Sequence, residues 1–146
     1  MSKAELAKQR YESGYNCAQS VFSVFAEDFG MSLEAALRLS SPFGGGMKMA
    51  GPCGALTGAL MALGLAHGYS ETDEEKRAES DRVTLLFLKR WKVEIGPVDC
   101  KTILGYDVTD PVQKEAAIAA GGSGQVCSNC ITEGVEILVR LLKELA

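Results

Sequence analysis

Gly54, Gly58 and Ala62 recur at every fourth position of the stretch Gly51-Pro52-Cys53-Gly54-Ala55-Leu56-Thr57-Gly58-Ala59-Leu60-Met61-Ala62-Leu63-Gly64-Leu65. That spacing places them on one face of a helix. A face with almost no side chain lets a second backbone come very close, so this segment is expected to be the central, most tightly packed helix. Pro52 suits a first helical position, which makes Gly51 the predicted N-cap and puts Cys53 in the first turn. Gly68 stops the helix after Ala66 or His67. The window from Met49 to Ala66 carries no charge. It is nevertheless broken by Gly51-Pro52 and barely reaches the length of a membrane span. A buried helix is the better reading than a membrane helix, although a Gly-x-x-x-Gly pair also suits a membrane dimer.

The rest of the chain carries helix signals from end to end. Ser2 to Glu5 and Asn16 to Gln19 form capping boxes. Ala18, Val21, Phe22, Phe25 and Phe29 then follow the helical period. Ser32 caps a short helix to about Leu39, and Thr72-Asp73-Glu74-Glu75 opens a long one that ends before Gly96-Pro97. Asp99 caps a short turn from Cys100 to Leu104. Asp110-Pro111 opens a further helix that stops at Gly121-Gly122. Ser123 to Val126 is predicted as a connector, and the last helix follows Cys127-Ser128-Asn129-Cys130. No strand, repeat or low-complexity tract stands out. The expected fold is all-α, a compact bundle of about six or seven helices in one domain spanning residues 1–146.

Of the 146 residues, 47% are hydrophobic and 23% charged, and the net charge is −4 with the signs interspersed. No basic stripe is present of the kind that neutralises phosphates, so no nucleic-acid partner is expected. The N-terminus is polar, with no signal-peptide core, and a reducing, cytoplasmic setting is expected. No membrane span is expected. The glycine-rich run from Phe43 to Gly51 lacks the Gly-Lys-Ser/Thr ending of a phosphate loop, and no strand precedes it. Close approach of backbone to a buried site is the reading preferred there.

Five cysteines are the unusual feature: Cys17, Cys53, Cys100, Cys127 and Cys130. In a reducing compartment they point to metal binding or thiol redox chemistry rather than structural disulfides. Cys17, Cys53, Cys100 and Cys127 each fall at, or one step before, a predicted helix start. Free N–H groups and partial positive charge there lower a thiol's pKa and favour thiolate, the nucleophile and the soft-metal ligand. The separations are longer than the paired Cys-x-x-Cys of a zinc ribbon. Cys127 and Cys130 are the one close pair. Without a preceding strand they do not read as a thioredoxin site, and Cys130 reads as a core position. His67, the only histidine, falls at the far end of its helix and is not a ligand candidate.

These motifs resemble the C_GCAxxG_C_C family of redox-active proteins over nearly the whole chain. Asn16-Cys17-Ala18-Gln19 is similar to its first cysteine motif, and Cys53-Gly54-Ala55-Leu56-Thr57-Gly58 to its central signature. Cys100 with Leu104-Gly105-Tyr106-Asp107, and Val126-Cys127 with Val135-Glu136-Ile137-Leu138, resemble the third and fourth. Cys130 falls where the family carries an apolar residue, which leaves it as an extra cysteine, or as half of a local pair with Cys127. A similar cysteine arrangement occurs in split-Soret cytochromes, which carry an iron–sulfur cluster. This chain has no Cys-x-x-Cys-His haem attachment site.

The resemblance implies redox activity without naming a reaction. The leading expectation is a redox-active protein whose metal ligands are Cys17, Cys53, Cys100 and Cys127. They would hold an iron–sulfur cluster for electron transfer to an unknown redox partner protein, with Gly51, Gly54 and Gly58 lying against the cofactor. Zinc in the same site would give a structural or binding role instead. Metal-free thiol–disulfide exchange through the same cysteines, and a non-catalytic helical adaptor with buried cysteines, stay open beside it. A glycine-faced helix can also pack on its copy, which allows a homodimer.

Overall fold

Local caps set most helix starts in the computed structural model, which describes residues 1–146. Helix α1 (Lys3–Glu12) opens on the expected capping box of Ser2 and Glu5. Helix α2 (Cys17–Ala26) opens on that of Asn16 and Gln19. A short 3₁₀ turn extends α2 to Phe29, and Gly30 ends it in the left-handed conformation with φ 86°. Ser32 caps α3 (Leu33–Ser40). Helix α4 is Gly54–His67. Helix α5 (Glu74–Glu94) is capped by Asp73, which accepts from the Glu75 and Lys76 amides, one residue later than the Thr72 start expected. Helix α6 is Cys100–Leu104, α7 is Pro111–Ala119 and α8 is Gly124–Leu145. The all-α class is as expected, but the helices number eight rather than six or seven. Two of them are short: α3 starts on its Ser32 cap, and α6 stops at Gly105 in the left-handed conformation, so each counts as an element.

The core is built around α2, of which every residue from Ala18 to Ala26 except Gln19 is buried. Helix α4 lies directly on it. A Cβ added at Gly54 would come 2.4 Å from the Cys17 Sγ, and one at Gly58 would come 2.8 Å from the Ala18 carbonyl oxygen. Gly54 thus faces the start of α2 and Gly58 the turn after it. The two helices therefore run in the same direction with their N-termini together. The small-residue face of α4 is occupied by α2 of the same chain, and it is not free to meet a second copy.

Helix α8 closes the other side through Ile131, Val135, Ile137, Leu138 and Leu141, all fully buried. Trp91 of α5 packs onto Gly134, where a Cβ would lie 2.9 Å from the indole ring. Its Nε1–H donates to the Pro97 carbonyl at 2.9 Å. Trp91 is core, as expected. Helix α1 packs across α8 and α2, and Lys3 reaches both the Val24 carbonyl and Asp28. No helix is long and apolar enough to cross a membrane.

Two connections shape the end of the bundle where the helices begin. Pro52 pairs with Asp99 in an isolated antiparallel bridge. The Cys53 amide donates to the Val98 carbonyl and the Cys100 amide to the Gly51 carbonyl, each at 2.7 Å. The other connection is the glycine-rich run. Gly45, Gly46, Met47 and Lys48 are consecutive left-handed residues, and Ala50 is left-handed as well. Only glycine adopts this conformation cheaply. The turn closes with the Gly51 amide on the Gly46 carbonyl at 2.9 Å.

Candidate cysteine site

All five thiols line one small cavity. Cys17, Cys53, Cys100, Cys127 and Cys130 surround a space of about 20 Å³, together with Gly54, Ile103 and Leu104. No histidine, aspartate or glutamate lines it. Every cysteine is a free thiol.

The local placement differs from one thiol to the next. Cys17 occupies the first position of α2, as expected, and Cys100 the first position of α6. Cys53 is itself the N-cap of α4, not a first-turn residue behind Gly51. The reason is the bridge: Pro52 and Cys53 stay extended to pair with Val98–Cys100, and the helix starts only after them. Cys127 lies a full turn inside α8, because Ser123 to Val126 is not a connector. The Cys127 amide already donates to the Ser123 carbonyl. Tyr106 Oη hydrogen-bonds Ser123 Oγ at 3.0 Å and ties down that start.

Cys130 follows one turn later, so both cysteines of the close pair look into the cavity. Its ionisation answers first to Cys53 and less to Cys127. It belongs to the buried core, as expected, and it also faces the other four sulfurs.

The three glycines assigned to cofactor contact separate in the same way. Gly54 lines the cavity, and its missing Cβ is the room that Cys17 Sγ occupies. Gly58 is the close-approach point of α4 on α2. Gly51 supplies the carbonyl that holds the Cys100 amide.

Helix starts do not make these thiols acidic. Burial pushes Cys17 up, reinforced by the neighbouring Cys53, against amide hydrogen bonds from Gly45 and Ala18. Cys100 is pushed up to about 12, chiefly by burial and then by the other sulfurs. Cys127 is also raised by burial, although Tyr11 and Ser123 donate to it. Cys53 and Cys130 shift each other's ionisation in opposite directions. Cys53 is raised by Cys130 and by burial, while Cys130 is lowered by Cys53 against burial. The expected helix-start effect is present at Cys17 and Cys53 as individual N–H bonds. Desolvation and sulfur–sulfur repulsion outweigh it, because a charge buried among other acidic groups loses more hydration than a few amides return.

Tyr11 is the participant that the sequence reading missed. It lies near the end of α1, and its hydroxyl meets the Cys127 thiol. Nothing in its spacing marks it, since the contact exists only because α1 crosses α8.

The protein is thus helical, with five cysteines around one small cavity that no histidine, aspartate or glutamate lines. The family model described as "Putative redox-active protein (C_GCAxxG_C_C)" matches residues 15–141, and the chain belongs to that family. No curated protein and no solved structure was found to match the chain.

Proposed function

We propose that the protein is a redox carrier in which Cys17, Cys53, Cys100 and Cys127 hold an iron–sulfur cluster that exchanges electrons with a partner oxidoreductase. The observation that supports this reading is the convergence of sulfurs from four separate segments on one cavity with no competing oxygen or nitrogen side chain. That donor set matches the thiolate ligation of iron–sulfur clusters. No three His, Cys, Asp or Glu side chains form a ready metal-holding group in the structure. The cavity is about the volume of a single water molecule. Loading the site therefore requires the sulfurs to part and lose their protons. A cationic iron centre would supply the positive charge that this crowd of sulfurs lacks, and it would carry one electron at a time.

The chain's own residues have separable parts in this reading. Gly54 leaves Cys17 room, the Pro52–Asp99 bridge fixes Cys53 beside Cys100, and the Gly45 and Ala18 amides steady the Cys17 sulfur. Ile103 and Leu104 keep bulk water away. Tyr11 donates to Cys127 and would keep doing so after that sulfur ionises.

One observation favours a second reading. Cys53 and Cys130 line the same small cavity and each is the strongest influence on the other's ionisation, so a metal-free protein could store two electrons there as a dithiol. Anaerobic purification followed by a visible spectrum and assays of iron, sulfide and free thiols tests both. The cluster reading expects iron and sulfide together, lost in Cys53→Ser and retained in Cys130→Ser. Metal-free protein whose oxidisable thiol pair disappears in Cys130→Ser would replace it with the dithiol reading.

A further inference from the structure

A larger cavity, of about 410 Å³, lies directly over the thiol cluster. Cys17, Cys100 and Cys127 line both spaces, so they form the floor of the outer one. Tyr11, Tyr106, Leu104 and Val108 make its sides, and Lys48 and Lys114 belong to its lining. The volume is that of a small-molecule site, and the mix of apolar walls with a few polar groups is typical of one. A groove of similar size elsewhere, between Ser2–Ala4 and Val135–Arg140, holds no thiol and includes the carboxylate Glu136.

The charge of the outer cavity is unlike that of the chain. The whole protein carries −4, yet this lining has two lysines and no carboxylate. Neither Lys48 nor Lys114 is in an ion pair. Asp107, whose charge is felt at Cys100, is turned to the Thr109 amide and hydroxyl at 2.8 and 2.6 Å. Lys48 sits on the left-handed turn at φ 60°. A non-glycine residue held there is costly and persists only where its surroundings enforce it, which is a pattern of functional sites. That turn is also what brings the Gly45 amide to Cys17.

We propose that this cavity binds a small organic anion with a flat apolar body, the apolar part between Tyr11, Tyr106 and Val108 and the anionic group at Lys48 and Lys114. Such a molecule would lie against three of the five sulfurs. The proposal deepens the redox reading, for it makes a small anionic molecule a direct partner of the sulfur site. Binding itself depends only on the cavity and holds whatever the metal content.

The test uses the full chain as purified without oxygen, with 2-naphthoate as the probe and neutral 2-naphthalenemethanol as its control. Amide shifts in NMR titrations read both location and affinity. The expected result is saturable shifts at Gly45, Val108, Thr109 and Ser123, with naphthoate bound about fivefold to tenfold more tightly than the alcohol. That preference should vanish in Lys48→Gln/Lys114→Gln and survive in Lys48→Arg/Lys114→Arg. Shifts confined to other surfaces, equal binding of acid and alcohol, or a preference unchanged by the glutamine pair would each overturn the proposal. Matching far-UV spectra of the two double variants exclude misfolding as the cause of a loss. Iron and sulfide assayed on the same samples keep a failure of this proposal separate from a failure of the cluster reading.

Discussion

Gly54 shows how much one missing methyl group can decide. Its hydrogen faces Cys17 Sγ at a place where a Cβ would stand 2.4 Å from sulfur. Gly54→Ala is therefore expected to cost about 1–3 kcal/mol of stability and to displace Cys17, measured by denaturant melts and by the alkylation rate of that thiol. Tyr11→Phe tests a single hydrogen bond. Tyr11 draws the Cys127 pKa down against burial, so its loss should slow alkylation of Cys127 in metal-free protein at fixed pH while leaving Cys100 unchanged. The buried thiols also set a pH dependence. Cys100 ionises near 12 when folded, against an ordinary value of 9.0. A pKa raised by folding contributes stability that is complete below the unfolded value and is lost as pH rises through the folded one. Reduced, metal-free protein should thus lose stability between pH 9 and 12, a trend that urea melts across that window would register. A flat profile would mean that the thiols are solvated.

At the scale of elements, the left-handed turn from Gly45 to Lys48 is the unusual piece. Met47 is exposed and is not among the hydrophobic residues packed on the core, so its side chain alone predicts tolerance. Its φ of 58° says otherwise. Met47→Val, β-branched, should cost about 1–2 kcal/mol, while Met47→Gly should not destabilise. Thermal melts of the two variants distinguish a conformational demand from a side-chain one. The same logic explains why the small-residue stripe on α4 was readable and its partner was not. The spacing of Gly54, Gly58 and Ala62 announces a close helix contact, whereas that the contact is α2, running parallel, depends on where Cys17 and Ala18 arrive. The start of α8 differs from the expected one for a related reason. Ser123 and Gly124 read as turn residues, and Gly is a poor helix former, but the Tyr106–Ser123 hydrogen bond fixes Ser123 as the N-cap and the helix beyond recruits Gly124 to Val126.

Over the whole molecule, the family match begins at residue 15, yet α1 lies before it and supplies Tyr11 to the site. Ala4 and Ala7 are buried against the rest of the core. Removal of residues 1–13 should lower the melting temperature by at least about 4 °C and raise the pKa of Cys127, read as slower alkylation. Unchanged values would make α1 an ornament. The sequence by itself determined the all-α class, most of the caps and stops, the central packed helix and the four cysteines of the family signature. Those are local properties, written in hydrogen-bonding side chains, glycines and spacing within a few residues. Tertiary structure decided that sulfurs from four segments share one space, that Cys130 meets Cys53, and that burial overrides the helix-start effect on thiol acidity. It also drew Cys53 into line with Cys100 through the Pro52–Asp99 bridge. Each of these depends on distance between residues far apart in the chain and on how much water is left around them, and neither quantity is carried by neighbours in sequence.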